Sequence, residues 1–499
     1  MSDQLIPFTP AELVFIAIYL SSLVAIGLVG YRARQENSLR DFYLGGSGIG
    51  FVVLLLTLYS TQYSGNTLFG FTGNTYRVGF AWTVSIHFMT SIVVFYLLLA
   101  PKLFRLAKQH GFITPTDFIE HRFRSPALNC LTSLLMTVSI ANFLLAQLMA
   151  MGNAIEGLTT IDPDRAFAGG VIVLALIIVV YETLGGFRAV AWTDVIQGSV
   201  LLVGFVILLV LVLHEFGSLT AATQIVQLRS PEKVAPPDWL ASNEWASYVL
   251  VVGLGGALYP QAIQRIYAAN SATTLRRSLL VMAFLPLTTA LIAIVVGIVG
   301  LAHIPGLDVP DPARADTLLT VICRRIQENS LAGRWLVVVL FSAILAAIMS
   351  TADSVLLSIS SMLTKDIYGK YMNPRATERH LTLIGKACSW GLIVLLAFLA
   401  IRHRDMTLIK LLDRKFDLLV QLAPAFFLGL HWPRLRATPT LVGICAGILV
   451  VFGILAIDRM SEADYSKIAG IHPGLYGLAL NAAVAVGWSL VWRVTPAAE

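Results

Sequence analysis

Charge is what this chain has least of. Asp, Glu, Lys and Arg together make up only 13% of its 499 residues, against about 25% in soluble domains. With 57% of residues hydrophobic and a mean hydropathy of +0.77, an ordinary soluble fold is excluded. Cysteine is equally sparse. Cys130, Cys323, Cys388 and Cys445 are scattered without a CxxC pair, so neither a disulfide framework nor a zinc site is expected. His87, His110, His121, His303 and His403 are dispersed as well, and no HExxH or Ser/His/Asp grouping is present. A membrane enzyme is therefore disfavoured. No low-complexity tract or heptad run appears. The net charge of +6 needs no nucleic acid to explain it, because Lys and Arg gather in short loops.

Long apolar runs are abundant. Stretches of about 20 apolar residues, enough to cross a hydrocarbon core of roughly 30 Å, fall near 11–31, 48–71, 80–101, 126–152, 166–184, 191–215, 243–264, 275–302, 333–362, 383–402, 407–431, 438–457 and 472–493. The expected fold class is an all-α polytopic membrane protein of about 13 transmembrane helices. MSDQLIPFTPAEL lacks a basic segment before the first run, which reads as a retained helix rather than a cleaved signal. Arg32, Arg34 and Arg40 follow the first run, Lys102, Arg105 and Lys108 the third, and Arg188 the fifth. Arg276 and Arg277 mark the seventh, Lys365, Lys370, Arg375 and Arg379 the ninth, and Arg434 and Arg436 the eleventh. This alternation places the N-terminus outside and the C-terminus in the cytoplasm. Arg402 and Arg404 run against it.

Three stretches depart from a plain apolar helix. The second run turns polar at Tyr59–Thr67, around Gly65, and the seventh holds Gly253, Gly255, Gly256 and Pro260. Both are expected to break, and unwound backbone is tolerated in a membrane only where it lines a protein or water cavity. The seventh lies five runs on from the second, the spacing of a five-plus-five inverted repeat with matching broken helices. The third stretch is Phe341–Tyr368. At about 100° per residue, Ala347, Ser350, Thr351, Ser354, Ser358 and Ser361 form one stripe, with Asp353 at its edge. Such hydroxyls serve either close helix packing or oxygen coordination of a hard cation. An intramembrane carboxylate points to function.

The segment YETLGGFRAVAWTDVIQG (181–198), with DFYLGG (41–46) and AAIMSTADS…TKDIY (346–368), resembles the sodium/solute symporter family. The likeness runs from the second span to the eleventh or beyond. It implies a LeuT-type inverted-repeat fold with broken first and sixth core helices. The whole chain, 1–499, would be one transporter domain: an extra helix and loop (1–40), the repeat core (41–431) and two C-terminal helices (432–499). It implies sodium-coupled uptake of a small organic solute across a plasma membrane, the bacterial inner membrane, with sodium as coupling ion and no other cofactor.

By motif position the resemblance assigns the main sodium to the carbonyls of Ser60, Tyr63 and Ala347 and the hydroxyls of Ser350 and Thr351. A second cation would sit among Asp194, Ser350, Asp353 and Ser354. The solute would meet Gln62, Ser64 and Thr67 on the first break, Asn142 and Gln147 on the fourth span, and Tyr259, Gln261 and Gln264 on the seventh. Asp353 stands where the family more often has a hydroxyl, Gln62 where the proline carriers have Asp, and Glu182 where a hydroxyl is usual. The family's sialic-acid carriers place an Arg on the fourth span. Here that region reads TVSIANFLLAQ, so a bulky sugar acid is disfavoured. GGFRAV, LYPQAI and AAIMST lean toward pantothenate and monocarboxylate carriers, with an amino acid as a further solute. The alternatives are a proton-coupled carrier and a solute-sensing domain. No kinase domain follows Glu499, so a carrier is expected.

Overall fold

The computed structural model describes residues 9–33, 38–46, 48–156, 162–309, 311–329, 331–404, 406–460 and 467–491. Arg34 of the first basic loop lies outside the described residues. The fold is helical, and the β pairing among those residues is two isolated bridges. Helix α1 spans Pro10–Arg32, entered through a Thr9/Glu12 capping box with proline at its first turn. The first broken span comprises α2 (Phe51–Gln62) and α3 (Phe71–Val78). Helices α4 (Val84–His110), α5 (Pro126–Glu156) and α6 (Pro163–Phe216) follow. The second broken span is α7 (Trp239–Gly256) with α8 (Pro260–Ala268), bent by 48°. Then come α9 (Ala272–Met282), α10 (Leu285–His303), α11 (Leu331–Ser361), α12 (Glu378–Arg402), α13 (Leu408–Leu419), α14 (Ala437–Met460) and α15 (Pro473–Val491).

By length and apolarity, nine described segments can cross a membrane, or ten counting the bent pair. The thirteen apolar runs are divided differently in space. The fifth and sixth runs join into α6, kinked at Gly186, whose φ of 58° and ψ of −148° suit glycine alone. The end of the second run continues into the third, and the eleventh is assembled from α13 and shorter turns.

Several interactions fix the frame around the breaks. Helix α11 packs against α6, α5 and α2, so its polar stripe is enclosed. The Arg188 guanidinium pairs with Asp41 at 2.6 Å and donates to the carbonyls of Ala33 and Gly45, joining two of the motif segments. Thr114 and Thr116 donate to Asp366 at 2.9 and 2.5 Å, anchoring the end of the α11 run. Ile49 pairs in register with Ala268 and Asn270, which ties the start of α2 to the end of α8. At the opposite end, Asp316 accepts from Arg77 at 2.9 Å and from the Leu408 amide at 3.0 Å. It thereby links α3 to α13. Burial raises the Asp316 carboxyl above its ordinary range, and Arg77 opposes that rise.

Candidate functional site

At the first break, α2 ends as Tyr63 turns to extended backbone (φ −103°, ψ 103°) and the helix restarts beyond Gly65. The unwound groups find partners in side chains, as buried backbone must. Gln147 accepts from the Gly65 amide at 3.0 Å, and the Ser64 amide donates to Thr67 Oγ1 at 3.3 Å. The Thr351 hydroxyl lies 3.1 Å from the Ser60 carbonyl and 3.2 Å from that of Ala347, within donating distance of both. Its single proton is shared between the two carbonyls. Three oxygens therefore converge at this point, all of them buried. Ser350, the next oxygen on the stripe, turns to Asp194 and donates to it at 2.5 Å.

Beside these oxygens lies a buried charge cluster with one member the sequence reading did not name. Arg265 of α8, 1% exposed, reaches across the bundle. Its Nη2 is 2.9 Å from Asp194 Oδ2 and donates to Ser354 Oγ at 2.5 Å, and its Nε donates to Thr57 Oγ1 at 2.6 Å. Nη1 donates to the Gln261 carbonyl at 2.9 Å. Thr57 also donates to Asp194. Asp353 accepts from Tyr181 Oη at 2.6 Å and from Ser354 at 3.1 Å. Two carboxylates thus share the region with one guanidinium. The signal for Arg265 was present: an ionisable residue next to a membrane break. It stands one position beyond the expected end of its span, where a long side chain is usually taken to snorkel outward.

The stripe on α11 is distributed in order along its neighbours. Thr351 faces the first break, Ser350 faces Asp194, and Ser354 faces Arg265. Ser358 and Ser361 hold Gln264 by bonds of 2.5 and 2.8 Å. Glu182 lies buried with one carboxylate oxygen 3.4 Å from Ser389 Oγ.

A small cavity, with about 20 Å³ of room, lies where the two breaks meet. Gln62, Ser64, Thr67 and Tyr259 line it, as do Phe143 of α5 and Lys415 of α13. Tyr96 couples the breaks: it accepts from Gln62 Nε2 at 2.6 Å and donates to the Gly256 carbonyl at 3.0 Å. Asn142 and Gln264 lie elsewhere, Asn142 donating to the Leu411 carbonyl at 2.6 Å. Gln147 braces the break backbone, and Gln261 is buried beside Arg265. The fourth span carries no cation at this level, and Lys415 comes instead from α13. In DRKFD it reads as one of several charges in the polar first half of the eleventh run.

Comparison with known proteins adds three findings. A sequence model of the sodium:solute symporter family matches residues 42–447. The sodium/pantothenate symporter of Escherichia coli is 27% identical over 93% of each chain, and the high-affinity proline transporter of Bacillus subtilis is 26% identical over 90% of this chain and 93% of its own. Among solved structures, a Na+-coupled sialic acid symporter in a substrate-bound outward-open state superposes with a TM-score of 0.78 at 17% identity, covering 97% of this chain and 98% of that one. That last likeness speaks to the fold.

Proposed function

Since this chain belongs to the sodium:solute symporter family, we propose that it couples uptake of a small organic solute to sodium entry. The solute is a monocarboxylate, a pantothenate-like acid or an amino acid, in keeping with the substrates named for its relatives. The observation that carries the reading is the convergence of the Thr351 hydroxyl on two helix carbonyls at the first break. Sodium there would be held by Ser60, Tyr63, Ala347 and Thr351, with Ser350 joining by turning away from Asp194. Uncharged oxygens bind the ion loosely enough to release it in each cycle.

Coupling follows from shared backbone. Ser60 and Tyr63 serve the ion, while Gln62 and Ser64, between and beside them, line the solute cavity. Ordering the break for one ligand spares the other part of that cost, which is a reciprocal coupling free energy. In the second cluster, Arg265 offsets the charge of Asp194, leaving Asp353 as the carboxylate that takes a further cation, either sodium or a proton. The proton-coupled reading rests on that residue. The N-terminus lies outside and the C-terminus in the cytoplasm. Arg404, which runs against the positive-inside pattern, is held by Glu156 at 3.0 Å and by Asp164.

The test is reconstitution of the full chain into liposomes with an inward sodium gradient, offering labelled pantothenate, lactate and proline in turn. Accumulation that collapses with a sodium ionophore is expected. Accumulation driven by a pH gradient without sodium would replace sodium by protons, and binding without accumulation would favour the sensor.

A further inference from the structure

We propose that Lys415 is the solute-recognition cation of this carrier, and that its solute is a carboxylate anion bearing a hydroxyl or amide N–H group. The inference rests on the reading of the cavity as the solute site and narrows its ligand to one chemistry. Lys415 is fully buried, and its ammonium makes no hydrogen bond among the described residues. It forms part of the cavity wall, beside Gln62 and Tyr259 from the two breaks.

Three aromatic rings position the ammonium. Its Nζ lies 3.4 Å from the centroid of Phe143, 4.4 Å from that of Phe416 and 4.8 Å from that of Tyr259. Ring faces favour a cation but give its three N–H donors no acceptor oxygen. The neighbouring acids are engaged elsewhere. Asp413 accepts from Tyr248 at 3.0 Å and faces Lys467 at 3.7 Å, and Asp417 accepts from the Gly474 amide at 2.8 Å. No Asp or Glu is among the cavity-lining residues. A buried cation without an anion is costly, and a bound carboxylate entering the cavity removes that cost.

The rest of the lining narrows the class. A zwitterionic amino acid would bring an ammonium into a wall that has a lysine and no carboxylate, so an acid without that group is preferred. Gln62 Oε1 is buried and accepts no hydrogen bond among the described residues, while its Nε2 is committed to Tyr96. An acceptor left open in this way selects a solute carrying an O–H or N–H donor besides its carboxylate.

The experiment uses the full-length chain in detergent with sodium, titrated with lactate, lactamide, pantothenate and proline, and followed by thermal shift and by competition. Lactate and lactamide have nearly the same shape, but the amide exchanges one charged carboxylate oxygen for a neutral NH2 donor. Wild type is expected to favour lactate over lactamide by at least about 30-fold, the low end for a desolvated charge pair. Lys415→Gln should collapse that ratio to within about threefold, and Lys415→Arg should restore most of it. A packing role would instead weaken both ligands together and leave the ratio intact, which overturns the proposal. Equal affinity of wild type for lactate and lactamide, tighter binding of proline, or no binding of either carboxylate also overturns it. Carboxylate binding that depends on Lys415 but drives no sodium-coupled uptake would sink the carrier reading and leave this one standing. Sodium-driven uptake that favours proline would do the reverse.

Discussion

Thr351→Ala removes one oxygen from the point where the first break meets α11, and the structure allows the loss to be estimated. Thr351 Oγ1 is the atom that faces both the Ser60 and Ala347 carbonyls. A hydrogen-bonding contact to a charged group contributes about 1.5–3 kcal/mol. At 1.4 kcal/mol per tenfold, its removal should weaken apparent sodium affinity roughly 10- to 150-fold. Ser350 is the control. Its hydroxyl is bonded to Asp194 at 2.5 Å, so it must give up one anionic partner to serve the ion. Ser350→Ala should therefore cost less, about 2- to 10-fold. Thr351→Ser keeps the hydroxyl and should stay within a few-fold of wild type. The assay is a sodium titration of solute uptake in proteoliposomes at saturating solute, with expression measured in parallel. An unchanged half-saturation in Thr351→Ala, or a larger loss in Ser350→Ala, would refute the assignment of the three converging oxygens.

Other outcomes can be checked in the same system. Gln62→Ala should raise the solute half-saturation about 2- to 12-fold, the worth of one neutral hydrogen bond, with the sodium requirement nearly intact; loss of the sodium response would move Gln62 to the ion. Asp353→Asn should lower the Hill coefficient for sodium or abolish a pH dependence of uptake, and wild-type behaviour in both assays would leave Asp353 structural. Arg265→Gln strands Asp194 among Thr57 and Ser350 and should destabilise the fold by about 3–5 kcal/mol. The double variant Asp194→Asn with Arg265→Gln should recover part of that in thermal unfolding, and strictly additive losses would mean the two do not act as a pair.

Much of the architecture was legible in the sequence because a bilayer enforces it residue by residue. Each crossing needs its own run of apolar side chains and its own internally bonded backbone, so the helices and both breaks announce themselves locally. The polar stripe of Phe341–Tyr368 is likewise a matter of helical period. What lay opposite each member of that stripe was not legible. Arg265 meets Asp194 across 71 residues of chain, and Lys415 of α13 meets Phe143 of α5 and Tyr259 of the second break. Arg265 stands at an expected helix end and Lys415 among the charges of the eleventh run, and sequence cannot distinguish a side chain reaching water from one turned into the bundle. The division of apolar runs into crossings was also decided in space, as at Gly186, where a positive φ bends one continuous segment. Local periodicity states which face of a helix is polar. Only the packing of helices from distant parts of the chain determines whether a charge on that face finds solvent, a counter-ion or an open cavity.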